Sequence, residues 1–268
     1  MAERKGFNIR RQTGFATIAV ACFVLLYLPI LLLVAYSFNS GSSIAIWEGF
    51  SWRWYQSAWE NELVQEATVR SLIIAVWASL ISTTVAVLAA LATTRTRKFK
   101  GQGAVFAMIN QPLMVPEIVT AVALLIFFAM IKVATGYSGL LYLIIAHAAF
   151  CIPFAYLPIR ARLQGMDLSL EQAAADLYAT PFQAFRRITL PQLWPGILAG
   201  AMLAFVISLD DVVITEFVKS AGQDTLPTYM LGQLRRVITP EINAISTVLI
   251  GISVTMVIGF TLLSKIRN

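Results

Sequence analysis

Glu117, Asp210, Asp211 and Glu216 are the residues of this chain whose chemistry is hardest to explain by packing, because all four fall within long apolar runs. A carboxyl at membrane depth is costly and marks a solute or ion path, a relay or a partner. Glu117 lies in QPLMVPEIVT, where Pro112 and Pro116 loosen a helix. The other three lie in AFVISLDDVVITEF. No Lys or Arg stands in either run at the same level. Such acids suit the passage of a cationic solute. The other readings are protonated carboxyls, or carboxyls paired with another subunit. Asp210 and Asp211 are about 100° apart on a helix, so at most one faces a pathway squarely. His147, in IIAHAAF, reads as a hydrogen-bonded packing residue rather than a proton relay.

The elements that carry these residues are membrane spans. The chain has 268 residues, of which 58% are hydrophobic and only 13% charged. A soluble domain carries about a quarter charged residues, so lipid is the main solvent here. About six runs reach the ~20 residues needed to cross a bilayer: Phe15–Phe38, Ser71–Thr93, Ala104–Val133, Leu140–Pro158, Pro195–Val218 and Ile242–Leu263. In lipid these must be helices, since each segment has to satisfy its own backbone. The expected fold is all-α, as a single transmembrane domain over 1–268. The first run is too long for a signal-peptide core and reads as a retained anchor. Cys22 and Cys151 lie inside apolar runs and read as small buried hydrophobes.

Charge sets the sidedness. Arg4, Lys5, Arg10 and Arg11, then Arg95, Arg97, Lys98 and Lys100, then Arg160, Arg162, Arg186 and Arg187, and finally Lys265 and Arg267 fall in one set of short loops. The opposite set is sparser, with Arg53, Arg70, Lys132, Lys219, Arg235 and Arg236. The dense set is cytoplasmic by the positive-inside rule, which puts both termini inside. The net charge of +6 therefore speaks of topology and not of nucleic acid. Asp210 and Glu117 then lie about 22 and 20 Å along their spans from the inner side, slightly beyond the midplane, if both helices are regular. Glu216 lies nearer the outer mouth. The outer loop Asn39–Val69 holds Trp47, Trp52, Trp54, Tyr55 and Trp59. These are either interfacial anchors or a docking surface for an external partner.

The inner segment of about 160–194 is polar and has the pattern of two short helices. Ser169 is placed to cap the first, with Gln172 at the capping-box position. Thr180 is placed to cap the second, with Pro181 at its first position. Phe182 and Phe185 share one face of it. Pro191 and Pro195 are expected to interrupt the chain before the fifth span. The bland reading is an ordinary amphipathic loop.

This segment resembles the EAA loop of bacterial ABC-importer permeases, whose signature is Glu-Ala-Ala, three residues, Gly, nine residues, Ile, one residue, Leu-Pro. Ala173, Ala174, Ile188, Leu190 and Pro191 match it. Gln172 replaces the Glu, with Glu171 adjacent, and Tyr178 replaces the Gly. The Gly permits positive φ, which Tyr adopts only at a cost, so the turn here is expected to be built differently. SLDDVVITEFV, TLPTYMLGQLRRVITPEINAIST and PLMVPEIVTA resemble the second permease subunit of spermidine/putrescine importers, over nearly the whole chain.

The resemblance implies a six-helix type I (MetI-like) importer fold in the bacterial inner membrane. It further implies a second homologous permease subunit, an ATPase dimer docked on the loop, and a periplasmic substrate-binding protein. ATP and Mg would be bound by the ATPase. Nothing in the chain supplies a phosphate loop, metal-ligand spacing or a nucleophile–base set, so a non-enzymatic subunit with no cofactor of its own is expected. Another cargo, such as an aminophosphonate, ferric ion or thiamine, is the alternative within this class. An ion-coupled secondary transporter is the alternative outside it, and it leaves the loop unexplained.

Overall fold

The computed structural model describes residues 13–44, 46–96, 99–235 and 239–266. Arg4, Lys5, Arg10, Arg11, Arg97, Lys98, Arg236 and Arg267, used above for sidedness, lie outside them. The helices are α1 (Thr13–Tyr36), α2 (Arg53–Glu60), α3 (Glu62–Thr94), α4 (Gln102–Met114), α5 (Glu117–Thr135) and α6 (Leu141–Gln164). They continue with α7 (Ser169–Asp176), α8 (Pro181–Ala184), a π-helical turn (Phe185–Thr189), α9 (Leu190–Asp210), α10 (Val213–Val218), α11 (Leu226–Leu234) and α12 (Pro240–Ile266). Six are long and apolar enough to cross a membrane among the described residues, as the sequence predicts.

Four expectations change. The second span starts at Glu62, nine residues before Ser71, because Val64, Ala67 and Ser71 already form a buried face. The third apolar run is not one helix: it breaks at Val115 and Pro116, both extended, between α4 and α5. Proline disfavours helix at the residue before it, which ends α4 there. The fifth run also breaks, at Asp211 (φ −65°, ψ 131°). The expected interruption at Pro191 and Pro195 is absent, and helix runs from Pro181 to Asp210. Pro191 falls in the first turn after the π-helical turn, where the regular bond pattern is already relaxed.

The described residues form two compact units. The first takes in the chain up to Asn61 and Arg236–Gly251. Here α1 is apolar and exposed along its length. The buried Asn39 organises the following loop: its Nδ2 donates to the carbonyls of Ser43 and Ile46 at 3.0 and 2.7 Å, and its Oδ1 accepts from Gly41 and Glu48 amides at 3.3 and 2.9 Å. Beside it Phe38 packs on Phe50, Trp52 and Tyr55, with ring centroids 4.9–5.3 Å apart. Phe50 and Trp52 remain exposed, and Trp54 is buried, donating its indole N–H to the Gly41 carbonyl at 3.1 Å.

The second unit, Glu62–Arg235 with Ile252–Asn268, is built on α3, α6 and α9 packed together. Their contact faces are rich in small residues: Ala75, Ala78, Ala86 and Ala90 on α3, Ala146 and Ala155 on α6, Gly196, Gly200 and Ala204 on α9. In lipid, association rests on close approach and inter-helix hydrogen bonds rather than on the hydrophobic effect. The Ser79 hydroxyl donates to the Ala201 carbonyl at 2.6 Å, and Thr93 meets the Tyr156 hydroxyl at 2.8 Å. The closest approach is at Gly200, where a Cβ would stand 2.7 Å from the Ala155 carbonyl oxygen.

Because that neighbour is backbone, Gly200→Val is expected to cost about 1–3 kcal/mol through overpacking. Gly251→Val, where a Cβ meets nothing within 4 Å, is the control. Thermal stability in detergent checks this, with a lower midpoint only for the first variant.

Candidate functional site

The four acids are brought together only in part. Asp211 lies in the gap between α9 and α10 and is buried. Its Oδ1 accepts the Ile214 amide at 3.2 Å, and its Oδ2 accepts the Thr215 amide and hydroxyl, each at 2.9 Å. The carboxylate thus takes up N–H groups that the break leaves without helical partners. His147 of α6 reaches the same place, with Nε2 3.4 Å from Asp211 Oδ2. Glu117 is the first residue of α5, which packs on α10, and its half-buried carboxyl neighbours that of Asp211. Asp210, the last residue of α9, is exposed. Among the described residues no Lys or Arg pairs with Glu117, Asp210 or Asp211.

Glu216 stands apart from this group. Lys219 Nζ lies 2.6 Å from Glu216 Oε2 and 2.6 Å from Asp224 Oδ1. Burial works against the lysine's charge, but Asp224 and Glu216 outweigh it and hold its pKa above the ordinary lysine value. An apolar cavity of about 560 Å³ is lined by Val85, Met108, Pro112, Phe127 and Phe150 among others, and the carboxyls are not part of its wall.

The loop residues form a second site. Ser169 does not cap α7: it is the first helical residue, and its amide and hydroxyl donate to Asp167 at 2.9 and 2.7 Å. Those two bonds hold the Asp167 carboxyl below the usual carboxylate range. Gln172 makes no capping box; its amide bonds the Leu168 carbonyl at 3.0 Å. Thr180 does cap α8 in a full box with Gln183, at 3.3 and 2.9 Å, with Pro181 following.

Tyr178 corrects the expected turn. It adopts φ 58°, the one positive φ outside glycine among the described residues, so the turn is made where the signature has Gly. A left-handed residue with a Cβ costs about 1–2 kcal/mol. The side chain is 95% exposed, next to Leu177 at 81% and Phe182 at 69%, so these three form one apolar tip. Phe185 and Ile188 are half-buried, while Gln172, Ala173 and Pro191 are exposed. Ala174 is buried and Leu190 half-buried. Glu171 points inward: its Oε1 accepts from Arg95 Nε at 3.3 Å and from the Thr189 hydroxyl at 3.0 Å, bracing α7 against the end of α3 and the π-helical turn.

The comparisons fit this geometry. Residues 82–266 match the family model described as binding-protein-dependent transport system inner membrane component. The chain belongs to that family. It is 39% identical over 232 residues to the putrescine transport system permease protein PotI of Escherichia coli (strain K12), covering 85% of this chain and 83% of that one. It is 37% identical over 246 residues to the spermidine/putrescine transport system permease protein PotC of Haemophilus influenzae, covering 92% and 94%. A solved bacterial ABC transporter that imports the acidic polysaccharide alginate shares the fold, with a TM-score of 0.74 over 94% of both chains at 16% identity. The resemblance and the fold class read from the sequence are therefore borne out, and the chain is a multi-pass protein of an inner-membrane transport family.

Sequence reasoning missed Ser208 and Thr215, the partners of His147, and the close-packing pair Gly196 and Gly200. The Gly-xxx-Gly spacing is a legible signal. The spacing from Asp211 to Thr215 becomes one only when Asp211 is read as a cap.

Tyr178→Asn is expected to keep the loop turn, since Asn tolerates the left-handed region, and Tyr178→Val to disrupt it. Limited proteolysis between Leu177 and Pro181 checks this, with faster cleavage expected for the Val variant alone.

Proposed function

We propose that this chain is one of two permease subunits of an ATP-driven importer that carries putrescine- or spermidine-like cations from periplasm to cytoplasm. The observation that carries the reading is the placing of the Glu117 and Asp211 carboxyls as neighbours, with Asp210 exposed beside them and no described Lys or Arg pairing with them. Two neighbouring carboxylates repel when both are ionised, and either a shared proton or a cation between them relieves the repulsion. An alkylammonium group is such a cation, and the names of the polyamine permeases reported above favour the same cargo.

The tip formed by Leu177, Tyr178 and Phe182 docks in an apolar groove of an ATPase subunit, which binds ATP and Mg. Helix is continuous for 30 residues from Pro181 beside this tip to Asp210 at the carboxyls, a length of about 45 Å. Closure of the ATPases then moves the far end of that helix and shifts the carboxyls between outward and inward access. Both termini are cytoplasmic, and a periplasmic binding protein delivers the cation from the other side.

Glu117→Gln, Asp210→Asn and Asp211→Asn are each expected to raise the KM of putrescine uptake about tenfold, the equivalent of ~1.4 kcal/mol. Glu216→Gln, whose charge Lys219 already meets, is expected to change it less. Kinetics of uptake into vesicles holding the co-isolated ATPase check this; unchanged uptake by all three variants with intact assembly refutes the cation reading.

A further inference from the structure

His147 is a buried titratable side chain that the transport reading leaves without a part. It is 1% exposed, and both ring nitrogens are engaged. Nδ1 is 2.8 Å from the Ser208 hydroxyl, in the last turn of α9. Nε2 is 2.9 Å from the Thr215 hydroxyl, in α10. A single ring on α6 therefore ties together the two helices on either side of the Asp211 break. That matters because α10 has only six residues, too few to hold a helix or a direction on its own.

Counting protons orders the cluster further. The Thr215 hydroxyl has one hydrogen and lies 2.9 Å from Asp211 Oδ2. An ionised carboxylate only accepts, so Thr215 donates to it. Thr215 Oγ1 must then accept from His147, which places a proton on Nε2. Nδ1 is left with its lone pair, and the Ser208 hydroxyl donates to it. If Asp211 were protonated toward Thr215, the chain of donors would run the other way. The ring would then carry its proton on Nδ1. A doubly protonated ring would meet the Asp211 charge itself and leave less of it for a cation. The other titratable groups facing Asp211 are Glu117 from α5, the buried Cys151 from α6 and the exposed Asp210 beside it.

We propose that His147 is the positioning residue of the carboxyl cluster, acting as a neutral imidazole protonated at Nε2 that clasps α9 to α10 and holds Asp211 fixed toward Glu117. The clasp touches no solute and acts through Asp211. Its consequence for transport rests on the cation reading above; its proton placement does not.

His147 is the single histidine of the chain, so 15N-histidine confined to this subunit of the assembled transporter reports one ring. At pH 7 the spectrum is expected to show a proton-bearing Nε2 and a bare Nδ1. A proton on Nδ1, alone or in addition, overturns the proposal. Uptake kinetics give the second arm. His147→Ala and Thr215→Val are expected to raise the putrescine KM about tenfold with assembled transporter undiminished. His147→Gln, whose amide nitrogen can still donate to Thr215, recovers most of the loss. An unchanged KM in His147→Ala, or a loss confined to the amount assembled, overturns the positioning role. If the wild type moves no putrescine, the cation reading fails instead, and the histidine spectrum still decides the clasp.

Discussion

A helix cannot simply stop inside a membrane, because its end groups find no water there. Much of the second unit follows from how this chain meets that constraint at Asp211. The carboxylate accepts the amides of Ile214 and Thr215, and His147 spans from Ser208 to Thr215. A charge that would be an expense in lipid thereby becomes the cap that lets the fifth span break. The same placement brings Asp211 against Glu117, which heads the helix after another break, at Pro116. On the proposed cation reading, local backbone need and solute chemistry are served by one side chain.

The break also bounds one continuous helix. Below it the chain is helical without interruption back to Pro181. Its packing on α6 is set by Gly196 and Gly200, where a Cβ would stand 2.8 Å from Arg162 Cβ or 2.7 Å from the Ala155 carbonyl oxygen. Glu171 braces the short helix α7 against Arg95 and Thr189. The loop is therefore tied to the bundle by polar contacts, while its exposed tip, Leu177, Tyr178 and Phe182, is left for another surface. That division suits a part that must be gripped from outside without deforming.

The spans were legible because length and hydropathy alone decide them in lipid. Their ends were less so. The start of α3 hides in ELVQEATVR, where the exposed Glu62 and Glu66 and the half-buried Arg70 mask the buried Val64 and Ala67. The break at Asp211 carries no proline or glycine. Its two sides are joined by a histidine more than sixty positions away in the chain (Asp211 is residue 211 and His147 residue 147), which no local pattern reveals. Tyr178 misleads in the opposite sense, since a side chain that disfavours positive φ takes it where the surrounding caps require it. The acids were legible as candidates, but which of them share a site was not: Glu216 pairs with Lys219 three residues on, apart from the other three.

The central claim is that the Glu117–Asp211 group selects cargo by positive charge. Transport by the complete assembly in proteoliposomes, comparing putrescine with the uncharged diol of the same chain length, addresses it most directly. The account predicts ATP-dependent uptake of the diamine and none of the diol. Equal uptake of the two, or diamine uptake driven by an ion gradient without ATP, would contradict it.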